Sequence, residues 1–270
     1  MKNDKSYAIL LIHGFAGTPI ELEYLENRLT LEGYPVFAPT LPGHGTTKRA
    51  LAKTNPKMWL EFIQEELDKI SKTPKIKFRL GEISRRYALS FPLRITCASP
   101  REGFFTSRKL KISAEVKNII VIGFSMGGLL STYLENSPKV SKLIFINTPI
   151  WVFNIPIILK DCLIPKKGWL TAVRKYKEST SKASQKSCYQ FWFFMRRTRK
   201  NFAQIKTPTL IIQSSQDETA RPKSGLFINN AIDGSKLIKI TGTRHQIFNH
   251  SDSISDEVCA HILQFISANN

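Results

Sequence analysis

Short apolar runs alternate along this chain with segments whose apolar residues recur at helical spacing. Residues 7–12 (YAILLI) are apolar at nearly every position, the pattern of a strand buried on both faces. Over residues 19–32, Ile20, Leu22, Leu25, Leu29 and Leu31 gather near one helical face, and Gly33 supplies a stop. Residues 34–38 predict a second strand. Residues 58–71 predict a helix, apolar at Trp59, Phe62, Ile63 and Leu67 and polar at Glu65, Glu66 and Asp68. Residues 118–122 predict a third strand, running into Gly123 and a helix through Leu134. Further strands are expected at 142–146, 209–213 and 236–240, and an amphipathic helix at 258–266. The alternation predicts an α/β fold, with a mostly parallel central sheet and helices on both faces.

Two stretches break this rhythm. Residues 73–115 carry Arg85-Arg86, Ser99-Pro100-Arg101 and several lysines without clear periodicity, and a loop of about 40 residues is unusual inside a compact unit. Residues 151–203 are rich in Lys, Arg and aromatics, among them Trp169, Tyr176, Tyr189, Phe191, Trp192, Phe193 and Phe194, with no clean amphipathic helix evident.

Composition changes the picture in one respect. Forty Lys and Arg stand against 21 Asp and Glu, a formal charge of +19. Such an excess concentrates anionic ligands, lipid surfaces or nucleic acid near a protein, and it equally describes a plain solvated basic surface. Cys97, Cys162, Cys188 and Cys259 form no CxxC pair and no metal-spaced cluster, so no metal or cofactor is expected and a reducing compartment is the simpler setting. The apolar stretch near the N-terminus is too short for a signal peptide, and no run reaches the roughly 18 to 20 apolar residues of a membrane span. A cytoplasmic location is therefore expected.

The chemistry concentrates at strand ends. Gly123-Phe124-Ser125-Met126-Gly127 is a GxSxG between a predicted strand and a predicted helix. There the chain must reverse sharply and expose a serine hydroxyl, which only small flanking residues permit. His13-Gly14-Phe15-Ala16-Gly17 follows the first strand, where turn amides can face an oxyanion; the expected donors are the backbone N–H groups of Phe15 and Met126. His13 itself is read as holding the turn, and His44 as structural.

HGFAGTP, then Leu41-Pro42-Gly43-His44-Gly45, then Trp59 opening a helix, then GFSMGG, resemble the bacterial carboxylesterase and monoacylglycerol-lipase group of the α/β-hydrolase superfamily. The resemblance covers most of the chain outside 73–115 and the detail of 151–203. It implies the order Ser, acid, His. The acid is then expected after strand 209–213, at Asp217 with Glu218 as its competitor, and the base at His245 after strand 236–240. Gln246 and His250 depart from the acidic residues often seen near that histidine. The resemblance also implies a core of residues 1–147 and 205–270, a cap at 148–204, and a peripheral insertion at 73–115. Ile155-Pro-Ile-Ile-Leu159 and Phe191-Trp-Phe-Phe-Met195 either line an apolar pocket or pin the cap to the core.

The implied activity is hydrolysis of carboxylic esters of short to medium acyl chains, or of monoacylglycerols, by Ser125, His245 and Asp217. Lysophospholipase, peptidase or acyltransferase chemistry would use the same three residues. A reading of another class is a basic membrane- or nucleic-acid-binding protein that keeps the fold without turnover. The expected partner is a small acyl ester; a weak association with an anionic membrane surface is a minority expectation, and no specific nucleic acid is expected. An aspartate-nucleophile mechanism is excluded because position 125 is serine.

Overall fold

Six parallel strands form the sheet in the computed structural model, which describes residues 7–72, 118–153, 183–249 and 252–268. In chain order these are β1 (Tyr7–Ile12), β2 (Val36–Phe37), β3 (Asn118–Phe124), β4 (Val140–Ile146), β5 (Thr209–Ser214) and β6 (Lys236–Ile240). Their order in space is β2-β1-β3-β4-β5-β6, and every pairing is parallel. The helices are α1 (Glu23–Leu31), α2 (Lys48–Ala52), α3 (Pro56–Lys72), α4 (Met126–Ser131), α5 (Gln185–Thr198), α6 (Lys223–Ala231) and α7 (Asp252–Ser267). The expectations for 73–115, for the segment Ile155 to Leu159, and for Trp169, Tyr176, Cys97, Cys162 and His250 lie outside the described residues. No helix among the described residues is long and apolar enough to cross a membrane.

The unbroken apolar strands follow from coverage on both faces. In β1, Ala8, Leu10 and Ile12 enter one core cluster while Ile9 and Leu11 enter the other. In β3, Ile119 and Val121 divide from Ile120, Ile122 and Phe124 in the same way. The first cluster packs the sheet against α3, α4 and α5 through Trp59, Ile63, Leu129, Leu130, Phe194 and Met195. The second packs it against α1 and α7 through Leu25, Leu29, Val258 and Ile262. Each such fully buried side chain contributes about 1.5–3 kcal/mol relative to exposure.

Several expected bounds shift. The helix expected over 19–32 is split into a 3₁₀ turn, Pro19–Leu22, and α1. Proline at the start lacks an amide donor and opens the turn without loss. β2 shrinks to two residues, and among the described residues β1 is its sole neighbour. In the segment that shows no clean amphipathic pattern, α5 forms, with Ser184 as its N-cap accepting from the Ser187 amide at 3.1 Å. α5 buries Ser187, Phe194, Met195 and Thr198, while Tyr189, Trp192 and Phe193 stay exposed. Aromatics on both faces mask the apolar contrast from which an amphipathic helix is read.

The topology decides where a site can form. From β1 the chain goes outward to β2, then crosses back past β1 to β3 and continues the other way. That reversal leaves a crevice at the carboxyl ends of β1 and β3, the favoured ligand position in open α/β sheets.

Candidate active site

Ser125 stands where β3 breaks into α4. Its backbone sits at φ 52° and ψ −119°, a left-handed conformation costly for a residue with a β-carbon. The surroundings enforce it. A β-carbon on Gly127 would strike the Ile12 carbonyl of β1, and one on Gly123 would strike the Gly127–Gly128 backbone. Small residues on both sides therefore let strand and helix approach while the serine projects into the cavity. The Ser125 amide donates to the Ile146 carbonyl at 2.8 Å and fixes the turn to β4.

His245 reaches the same point from the loop after β6. Its Nε2 lies 3.0 Å from Ser125 Oγ, and its Nδ1 lies 2.9 Å from Asp217 Oδ2. Asp217 is fully buried, and its other oxygen accepts the amides of Thr219 (2.8 Å) and Ala220 (2.7 Å). Glu218, the competing acid, instead accepts the His245 backbone N–H at 3.2 Å, so between the two acids the geometry favours Asp217 as the partner of the ring. Burial alone would depress the imidazole's proton affinity, but the charge and hydrogen bond of Asp217, with Glu218 and Glu21 beyond, raise its pKa above the ordinary histidine value.

The glycine-rich loop after β1 closes the other side. His13 is buried, with Nδ1–H donating to the Gly14 carbonyl (2.9 Å) and Nε2 accepting the Leu41 amide (3.0 Å). This is a neutral ring spanning two loops, and burial lowers its pKa to about 4. It makes the structural tie expected of it. His44 is likewise buried, its pKa lowered by burial, and packs edge-on against Trp59 at 5.3 Å between ring centroids. Trp59 donates from Nε1 to Thr54 Oγ1 at 3.1 Å and also meets Phe15 edge-on, joining α3 to both loops.

Phe15 lines the cavity and stacks on Phe191 of α5 at 4.8 Å, which seats that helix over the site. Of the segments expected either to line a pocket or to pin the cap to the core, 191–195 does both: Phe191, Trp192 and Met195 line the cavity, and Phe194 and Met195 are buried in the core. Met126 is fully buried beneath the start of α4 and is not among the lining residues, so any part it plays is through its amide. As the first amide of a helix, that group has no intrahelical acceptor. The cavity is about 410 Å³ and contains Ser125 and His245 in its lining.

Two contributors escape the sequence reading. Asn147, at φ 47° just past β4, is fully buried. Its Nδ2 donates to the His245 carbonyl (2.8 Å) and to Ser214 Oγ (2.9 Å), and its Oδ1 accepts the Ser214 amide (2.7 Å). One side chain thus ties the ends of β4 and β5 to the histidine loop. Glu21 accepts the Gly14 amide at 3.2 Å and the Gln246 side-chain amide at 2.9 Å, and it lines the cavity. The signal for Asn147 was a polar residue ending an apolar strand; nothing in the pattern singles out Glu21.

Comparison with known proteins agrees with this architecture. A family model described as the alpha/beta hydrolase family matches residues 9–252. A thermostable monoacylglycerol lipase from Bacillus sp. strain H-257 is 24% identical over 251 residues, covering 88% of this chain and 82% of that protein. A carboxylesterase from Bacillus subtilis strain 168 is 20% identical over 240 residues, covering 84% and 78%. A soluble variant of monoglyceride lipase from Saccharomyces cerevisiae, solved with a substrate analog, superposes with a TM-score of 0.62 at 18% identity, covering 98% of this chain and 87% of that one. With its all-parallel sheet, its serine at the strand-to-helix elbow and a family match across nearly its whole length, this chain belongs to the alpha/beta hydrolase family.

Proposed function

We propose that the chain is a serine hydrolase that cleaves carboxylic esters of short to medium acyl chains or monoacylglycerols through an acyl-enzyme. The observation that carries this reading is the continuous relay from Ser125 Oγ to His245 Nε2 and from His245 Nδ1 to Asp217 Oδ2, opening on a largely apolar cavity. Ser125 Oγ attacks the ester carbonyl while His245 Nε2 takes its proton. The tetrahedral oxyanion is held by the backbone N–H groups of Phe15 and Met126. Collapse breaks the carbonyl–alkoxide bond, and His245 returns the proton to the departing oxygen. Water, deprotonated by the same ring, then releases the acid. Asp217 fixes the ring's orientation and stabilises its charged form. The names of the two Bacillus relatives support the substrate class.

The division into a core of 1–147 and 205–270 with a cap at 148–204 is part of the same proposal. It is supported by α5, which lies within the cap range and supplies four lining residues, Cys188, Phe191, Trp192 and Met195. A fluorophosphonate probe should label the wild type and not Ser125→Ala. Ser125→Ala or His245→Ala should lower kcat on a p-nitrophenyl ester by roughly 10⁴-fold or more with unchanged folding. A wild type that neither labels nor turns over would instead favour the non-catalytic binding reading. A second reading adds to the first: the exposed aromatics Tyr189, Trp192 and Phe193, with Arg196 stacked on the Trp192 ring at 4.8 Å, favour a weak association of α5 with an anionic membrane surface.

A further inference from the structure

The cavity has two unlike sides. Phe15, Phe191, Trp192 and Met195 give it an apolar wall, whereas near His245 its lining includes Glu21, Glu218 and Gln246 as well as the Phe124 ring. Glu21 comes from the 3₁₀ turn that follows the glycine-rich loop. Its seat is built: Oε2 takes the Gly14 amide, Oε1 takes the Gln246 side chain, and a β-carbon at residue 17 would collide with the carboxylate, so Gly17 leaves the space it occupies. Glu21 Oε2 and Ser125 Cβ each lie 3.3 Å from the point where a Gly14 β-carbon would stand, so the two flank Gly14 within about 6.6 Å of each other. Glu218 lines the same cavity, held by the His245 amide.

Ester cleavage assigns these sides to the two halves of a substrate. The imidazole hands its proton to the departing oxygen, so the alcohol lies on the side of His245 and the acyl chain on the apolar side. We propose that Glu21 is the specificity residue for the leaving group, selecting alcohols that carry a hydrogen-bond donor or a positive charge near the ester oxygen and disfavouring anionic ones. This rests on the ester-hydrolase reading above. A charge-assisted hydrogen bond to a carboxylate is stronger than a neutral one, and a like charge brought beside it in a partly dry cavity is repelled. The selection runs against the molecule's net charge of +19, which draws anions toward the surface while the alcohol side of the cavity turns them away.

The test uses the purified full chain and butyrate esters of four small alcohols at pH 7: 2-(dimethylamino)ethanol, ethylene glycol, 2-methoxyethanol and 2-hydroxyethanesulfonate. The wild type should show kcat/KM falling in that order, with the glycol ester above its capped methoxy analogue. Glu21→Gln should shrink the ratio of cationic to anionic ester by about tenfold, the scale of one charge at close range in a partly hydrated site. Gln246→Ala, which removes one hydrogen-bond donor from the carboxylate, should widen that ratio and serves if Glu21→Gln does not fold. A wild type that prefers the anionic ester overturns the proposal. So does a Glu21→Gln variant that slows all four esters by one factor, because Glu21 would then only be bracing the Gly14 loop. Labelling of Ser125 by a fluorophosphonate in parallel separates the two readings: labelling with a flat ester profile defeats the role of Glu21 alone, whereas absent labelling and absent turnover defeat ester hydrolysis with it.

Discussion

His13 and His245 are both buried, and their neighbours drive their proton affinities in opposite directions. His13 is offered a carbonyl and an amide, partners that suit the neutral ring, and burial takes its pKa to about 4. In the unfolded chain it titrates near 6.5, so between about 4 and 6.5 the unfolded state binds more protons and stability falls as pH falls through that window. The full loss is about 3 kcal/mol. Chemical denaturation from pH 7 to 4 should show this slope, and His13→Gln should flatten it; an unchanged slope would mean the ring is not held neutral. His245 goes the other way: Asp217, Glu218 and Glu21 favour its protonated form, whereas the reaction needs it neutral. The acid limb of kcat/KM should therefore lie above the ordinary histidine value, and Glu218→Gln should move it to lower pH. A limb that stays put in that variant would remove Glu218 from the electrostatics of the base. That Ser125, Asp217 and His245 would meet was legible in the sequence, because a tight turn, a residue order and strand ends constrain them. Asn147 and Glu21 were not, since their partners lie far away in the chain and only the folded loops bring them together.

At the scale of elements, strands buried on both faces were the easiest to read, because every position must be apolar. α6 was missed: its sequence KSGLFINNA includes glycine and two asparagines, and among its apolar residues only Ile228 is fully buried, so neither propensity nor periodicity marks it. One feature of β4 contradicts its own strand pattern. Lys142 is buried in the strand, and its Nζ donates to the carbonyls of Phe265 (2.9 Å), Ile266 (3.1 Å) and Ala268 (2.7 Å). These are carbonyls at the C-terminal end of α7, which lack intrahelical donors and carry the negative end of the helix dipole. Burial lowers the lysine's pKa, so the carbonyls compensate a charge the strand would otherwise exclude. Lys142→Met keeps the apolar stem and removes all three bonds. It should cost about 1–3 kcal/mol in denaturant unfolding at unchanged m-value, with faster amide exchange in the last turn of α7. A neutral substitution would show that those carbonyls are satisfied by water.

The whole molecule combines a net charge of +19 with a largely apolar cavity that carries two carboxylates, and α5 forms part of the cavity wall. Phe191 and Met195 of this helix line the cavity, while Tyr189 and Phe193 point outward and Trp192 takes part in both, being exposed and lining. The outward aromatics contact one another, with Tyr189 and Phe193 rings 4.6 Å apart and Trp192 and Phe193 5.0 Å apart. Arg196 covers the Trp192 face, and Arg197 adds a second charge in the last turn. Aromatic rings beside cations are the composition that settles at a lipid headgroup boundary, where the ring is half-buried and the cation meets phosphate. Association by this face would place the cavity mouth against the source of an acyl ester. The chain should therefore co-sediment with vesicles containing an anionic phospholipid more than with purely zwitterionic ones. Raising the salt concentration should weaken the association, since surface charges are screened over about 8 Å at physiological ionic strength. Phe193→Glu, which changes an exposed ring outside the cavity lining, should reduce vesicle binding while leaving hydrolysis of a soluble p-nitrophenyl ester within about twofold. Binding that is equal on both vesicle types, or that survives Phe193→Glu unchanged, would assign the attraction to the basic surface at large and take α5 out of it.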